Sequence, residues 1–312
     1  MKLHVHEKKY LLSTHHGFFS SRFFVICIIV ISALILIFGT LYIRRTKSFL
    51  PSVSSLYEQW NLNNYLSVYE KSGLILNKRP LDGSVLALHG FASYYLFSEQ
   101  NDSTAAQTYL VSAINSLRNG WYRVSDSEKP QIAYILGKAY YQRGYYYADL
   151  SKKYLDYAYQ SGMHFNDLPE FRGLAASLLG DYTTSIEAFT EALAVNPSDL
   201  LLFTLSQNYL QINNTEKAKQ YLYETIRTTK DDMLELKCRY LLGNVFLQEK
   251  NNADALNEFN TILEKDPNFA DAHYGLGVIY ENQGDLIKAR AEWRKAIRIN
   301  PVHPGARLKL NL

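Results

Sequence analysis

The side chains able to do chemistry are scattered along this chain rather than grouped. Four of its 8 histidines, His4, His6, His15 and His16, fall near the amino terminus, where nothing in the sequence holds them in the fixed geometry that a metal demands. His89, His164, His273 and His303 are spread one to a segment. Cys27 and Cys238 are the only two cysteines, which excludes a disulfide framework and a cysteine-rich zinc site. Cys238 reads as a small buried hydrophobe. There is no glycine-rich phosphate loop, no G-x-S-x-G nucleophile turn and no H-E-x-x-H helix. Glu187, Glu191, Glu258 and Glu264 fall at outward positions of helical patterns. Glu292 and Lys295 have the i, i+3 spacing of a surface ion pair. The expectation is a protein without catalytic residues, cofactor or metal, and without a small-molecule substrate.

Bulk composition narrows the field further. The 312 residues include 33 basic and 30 acidic side chains, for a net charge of +3, too balanced to argue for nucleic acid. Aromatic residues make up 14% of the chain, 25 of them tyrosines, which is enough to bury a large core.

One run, Phe23 to Ile43, carries no charge. At 1.5 Å per residue, about 20 helical residues cross a hydrocarbon core of roughly 30 Å. Arg22 bounds the run on one side, and Arg44, Arg45 and Lys47 bound it on the other, with Tyr42 placed for an interfacial belt. It is longer than the 7–15 apolar residues typical of a cleaved signal peptide. The expectation is a transmembrane helix over 23–43, which makes the lipid bilayer a partner. Lys8, Lys9 and Arg22 balance Arg44, Arg45 and Lys47, so the positive-inside count is a tie. A basic tail over 1–22 is placed in the cytoplasm because moving it across is unfavourable. This describes a single-pass protein of a bacterial inner membrane with its large domain on the extracytoplasmic side.

The remainder repeats. Gly243 and Gly277, Phe246 and Tyr280, Ala255 and Ala289, Phe259 and Trp293, and Pro267 and Pro301 all stand 34 residues apart. Leu276, Gly277 and Tyr280 form one helical stripe, and Ala289, Trp293 and Ala296 form another. In this scheme Gly277 faces Ala289 and Ala296, and Tyr280 and Trp293 fill the space left. Gly284-Asp285 turns the chain between two helices, and Pro301 ends the second.

This unit resembles the tetratricopeptide repeat, whose pattern is W-x2-L-G-x2-Y…A-x3-F…P at period 34. The last unit has His273 at the Trp place, then Leu276, Gly277, Tyr280, Ala289, Trp293 and Pro301. The one before has Arg239 at that place, then Leu242, Gly243, Phe246, Ala255, Phe259 and Pro267. Upstream the pattern persists in Leu205, Ser206, Tyr209, Ala218 and Leu222, in Gly173, Phe189 and Ala192, and in Leu136, Gly137 and Tyr140. Units are expected near 130–165, 166–198, 199–235, 236–269 and 270–303, with degenerate hairpins over 48–129 and a short cap over 304–312. The fold class expected is all-α, a right-handed superhelical solenoid of antiparallel helix hairpins preceded by the membrane helix. Gly137, Tyr140, Gly173, Phe189, Tyr209, Ala218, Gly243, Phe246, Ala255, Phe259, Gly277, Tyr280, Ala289 and Trp293 are its repeat-packing residues.

The resemblance implies a concave groove, lined by first helices, that binds peptide or helical segments of other proteins. Helical offsets place Tyr134, Lys138, Tyr141, Phe203, Gln207, Tyr240, Asn244, Gln248, Tyr274 and Glu281 there. Lys138 and Asn244 lie too far apart for a two-residue carboxylate clamp. The function expected is a membrane-anchored interaction scaffold. The alternatives are a tethered chaperone for unfolded segments and an enzyme whose site the motifs miss.

Overall fold

The repeat unit begins with its turn. Where the first helix of a hairpin ends, one residue takes positive φ and the next caps the second helix. Asn63 (φ 54°), Gly180 (φ 75°), Asn213 (φ 57°), Lys250 (φ 60°) and Gly284 (φ 83°) turn the chain. Asn64, Asp181, Asn214, Asn251 and Asp285 then each accept a hydrogen bond from the backbone N–H three residues on. Such caps satisfy donors that the helix itself cannot. Lys250 is the outlier, because a side chain at left-handed φ without local hydrogen bonding is unfavourable. Lys250→Gly is therefore expected to raise stability by about 0.5 kcal/mol, net of the entropy that glycine adds to the unfolded chain. A lower urea midpoint for the variant would contradict this.

The computed structural model describes residues 19–46 and 50–312, with side chains in the first helix described only at 25, 26 and 28–40. The chain divides into two units, Met1–Ser52 and Val53–Leu312. Among the described residues all regular structure is helical.

The second unit is a file of hairpins. They are α2 (Val53–Asn61) with α3 (Tyr65–Leu76), α4 (Gly83–Glu99) with α5 (Ser103–Trp121), and α6 (Lys129–Gln142) with α7 (Ala148–Gln160). Next come α8 (Leu168–Leu178) with α9 (Tyr182–Val195), α10 (Asp199–Gln211) with α11 (Thr215–Thr228), α12 (Asp232–Gln248) with α13 (Asn252–Lys265), and α14 (Ala270–Asn282) with α15 (Leu286–Ile299). A short helix, α16 (Pro304–Leu310), packs on α15. Each second helix also packs on the first helix of the following hairpin, so no hairpin buries its apolar face alone.

Small residues set the spacing within and between hairpins. Phe259 is fully buried between two glycines. A Cβ on Gly243 of its own hairpin would lie 2.6 Å from the ring, and one on Gly275 of the next would lie 2.4 Å from it. Gly277 lies against Trp293, whose Nε1 would be 2.2 Å from an added Cβ. It therefore receives the indole directly, where the sequence pattern pairs it with Ala289 and Ala296. Gly137 and Gly173 meet Leu155 and Phe189 in the same way. Tyr140, Ala218, Phe246, Ala255 and Ala289 are buried, and Tyr209 and Tyr280 are half-buried.

The first unit corrects an expectation. It holds α1, Phe19–Thr46. Among the described residues no helix is long and apolar enough to cross a membrane. The transmembrane helix over 23–43 is withdrawn, and with it the bilayer as partner, the membrane anchor in fold and function, the single-pass location and its orientation. Phe23, Phe24, Cys27 and positions 41–43 of the expected span lie outside the described side chains. The tail expected over 1–22 lies outside the described residues up to position 18.

Candidate partner-binding groove

Consecutive first helices lie against one another at α2–α4, α4–α6, α6–α8 and α12–α14, whereas no two consecutive second helices pack to that extent. The first helices are thus the crowded inner row, and their free sides are the candidate floor of a groove.

At α6 and α8 the floor closes on itself. Lys138 Nζ donates to Asp167 Oδ2 at 2.6 Å and to the Tyr134 hydroxyl at 3.1 Å. The Tyr134 hydroxyl donates to the other oxygen of Asp167. The ammonium also lies 4.6 Å from the centre of the Phe171 ring, 4.9 Å from Tyr134 and 5.7 Å from Tyr94, within range of cation–π attraction. Asp167 precedes α8 in the N-cap place, yet its side chain caps nothing there. Tyr134 is buried and stacks on Phe165 at 3.9 Å. Burial first, and then the bond to Asp167, push its phenol well above the ordinary tyrosine range. Tyr141 is half-buried, edge-on to Phe171.

In the middle of the floor Phe203 and Tyr240 pack by one side against the core cluster that contains Leu242, Phe259 and Leu276, with Tyr240 tilted towards Phe259 at 6.4 Å and Phe269 at 6.1 Å. Phe203, Tyr240 and Asn244 are half-buried, and Gln207 and Gln248 are exposed. Phe203 and Gln207 on α10 recur as Tyr240 and Asn244 on α12 at a common offset of 37 residues. Adjacent helices therefore present an aromatic face and an amide in the same order. At the carboxyl end α16 occupies the floor. Tyr274 lies under Gly305 and tilts against His303 at 5.0 Å, and Glu281 accepts a bond from Lys309.

Between the two helices of a hairpin lies a polar couple that motif reading misses. Arg239 Nη1 donates to Glu258 at 3.0 Å, and one repeat later His273 Nδ1 lies 2.6 Å from Glu292. Both pairs are 19 residues apart and recur at 34. Glu258, read from the sequence as outward and solvated, is only 6% exposed. It turns inward because Arg239 stands where the repeat pattern has tryptophan and brings a charge to be paired. The signal was present as polar residues recurring at 34, the period used for the apolar ones.

One arrangement imitates a nucleophile and its base. Ser72 Oγ lies 2.7 Å from His89 Nδ1, and Ser112 Oγ lies 3.2 Å from His89 Nε2. Ser72 is fully buried and also donates to the Tyr69 carbonyl, so the group ties α3, α4 and α5 together. Burial pushes the Cys238 thiol up to about 12, which keeps it protonated and inert. Among the described residues no three His, Cys, Asp or Glu side chains are grouped to hold a metal.

Hairpins in single file with an inner row of first helices define an all-α repeat solenoid. Tetratricopeptide-repeat profiles match residues 171–199 and 240–304. The chain is 28% identical over 171 residues to the BBSome complex member BBS4 homolog of Drosophila melanogaster, covering 53% of this chain and 33% of that protein. It is 26% identical over 150 residues to the anaphase-promoting complex subunit CDC16 of Saccharomyces cerevisiae, covering 46% of this chain and 18% of that one. The chain thus matches a third or less of the length of these curated relatives. The solved C-terminal part of a TPR repeat-containing protein from Cytophaga hutchinsonii superposes with a TM-score of 0.57 at 14% identity, over 84% of this chain and all of that one. YrrB, a TPR protein described as having an unusual peptide-binding site, gives a TM-score of 0.50 at 20% identity over 64% of this chain and 100% of that one. At such identities these structures show the fold alone.

Proposed function

We propose that this chain is an interaction scaffold whose groove, centred on α10 and α12, holds an extended or helical segment of another protein. One observation carries this reading. Phe203 with Gln207, and Tyr240 with Asn244, stand in register on consecutive first helices, with exposed Gln248 beside them. Aromatic faces offer apolar contact, while amides donate to and accept from a peptide backbone without demanding a charge. The floor is already occupied at α6, by Lys138 with Asp167, and at α14, by α16, which leaves the faces of α10 and α12 between them uncovered. Both curated relatives are described as members of multi-protein complexes, which agrees with a scaffold.

A photo-crosslinking side chain at Gln248 or Gln207 tests this in native extracts. Groove positions are expected to give discrete adducts, identified by mass spectrometry, that are lost when Tyr240→Ala is added. Asn260, exposed on α13, is expected to give none of the same products. Identical adducts from both surfaces, or none from the groove, would remove the assignment.

A further inference from the structure

The last hairpin carries a surface that the groove does not use. The chain has a net charge of only +3, yet Leu286 to Leu312 holds seven lysines and arginines against Glu292 alone. The lysines are spoken for: Lys288 pairs with Asp285 at 3.0 Å, Lys295 with Glu292 at 2.7 Å, and Lys309 with Glu281. The arginines are not. Arg290, Arg294 and Arg298 on α15 and Arg307 on α16 are exposed, and none has an ion pair or side-chain hydrogen bond to the described residues. Arg290, Arg294 and Arg298 are four residues apart, about 6 Å of rise each, on the side turned away from buried Ala289, Trp293 and Ala296. Like charges at this spacing repel, so the row costs some helix stability that carboxylates from outside would offset. Aliphatic side chains sit among the arginines: Ile287 is 85% exposed and Leu308 is 78% exposed.

We propose that the outer face of α15 and α16 docks an acidic amphipathic helix of a partner protein. Carboxylates spaced one turn apart would pair with the arginine row through two parallel N–H···O bonds each, and aliphatic residues of the same helix would cover Ile287 and Ala291. The aliphatic content is what favours a protein over a phosphate polymer, because phosphate gains nothing from Ile287 or Leu308. A second copy of this chain, presenting exposed Asp254 and Glu264 of α13, is the competing occupant.

The test uses the full chain and a fluorescent synthetic helix with Glu at i, i+4 and Leu at i, i+3, read by anisotropy at physiological salt. Binding is expected, and Arg290→Gln, Arg294→Gln and Arg298→Gln together should weaken it roughly tenfold, while the groove variant Tyr240→Ala leaves it unchanged. Far-UV circular dichroism checks that the triple variant keeps its helices; if it does not, Arg298→Gln alone is read in its place. The proposal is overturned if a Lys-for-Glu peptide or a leucine-free polyglutamate binds equally well. It is also overturned if a DNA duplex or phosphatidylserine vesicles bind more tightly than the peptide, or if the chain self-associates through this row and the triple variant abolishes that instead.

Discussion

Phe259→Ala is expected to cost about 3–5 kcal/mol, the range for removing a buried aromatic ring that leaves a cavity. Collapse into the space is hindered because backbone, not side chain, lines two sides of it. Gly243 and Gly275 approach the ring closely from the hairpin of Phe259 and from the one after. The loss therefore falls on two interfaces, α12 with α13 and α13 with α14. In a quasi-one-dimensional array such a loss is local, because each hairpin contacts only its neighbours. Hydrogen exchange should show α12 to α15 losing protection while α4 to α7 keep theirs. A loss below about 1 kcal/mol, or equal loss of protection along the whole file, would mean that the ring is not the shared wedge described here.

Arg239→Ala is the second large effect, at about 3–5 kcal/mol, because it strands a buried carboxylate. Glu258 has 7% of its side chain exposed and loses its bond to Nη1, and Glu235 loses its bond to Nε at 2.8 Å. Replacing Arg239 and Glu258 together by Met and Leu should be far milder, since two charges then leave the interior instead of one. Urea unfolding of the single and double variants separates these outcomes; a double variant as damaged as Arg239→Ala would refute the stranded-charge account. Loss of Arg239 also has a pH signature, through Glu235. The bond from Lys265, and then that from Arg239, hold the Glu235 carboxyl below its ordinary value against the opposing pull of burial. A carboxyl depressed on folding contributes stability that is present above its unfolded value and lost as pH falls through the depressed one. Removing Arg239 relieves part of that depression, so the acid transition of the variant should begin at higher pH.

The helix hairpins were legible because both helices of a unit repeat their small and aromatic positions at 34. Periodicity reports which side chains share a face, and a glycine opposite an aromatic reports a close approach. The turn at Gly284-Asp285 was legible for a local reason too, since glycine at positive φ followed by a capping Asp is read from adjacent positions, whereas the equivalent turns at Asn63, Asn213 and Lys250 carry no glycine and came only from the structure.

The groove was legible only as a row of positions. Helical offsets place Tyr134, Phe203, Tyr240 and Tyr274 on one side of successive first helices, but offsets carry no information about what comes to meet that side. Tertiary structure decided that Tyr134 and Lys138 would be taken by Asp167, which sits 33 and 29 residues further along the chain. It also decided that α16 would cover Tyr274 and that Glu258 would turn inward to Arg239. A run of apolar residues likewise states length and hydropathy, which led to a membrane helix over 23–43 that the described residues do not sustain. By itself, then, the sequence determined that the chain forms helix hairpins in single file, because these follow from neighbours in the chain and from a fixed repeat. Only the fold decided which inner side chains remain uncovered, because that depends on contacts between residues far apart in sequence, whose pairing no local pattern records.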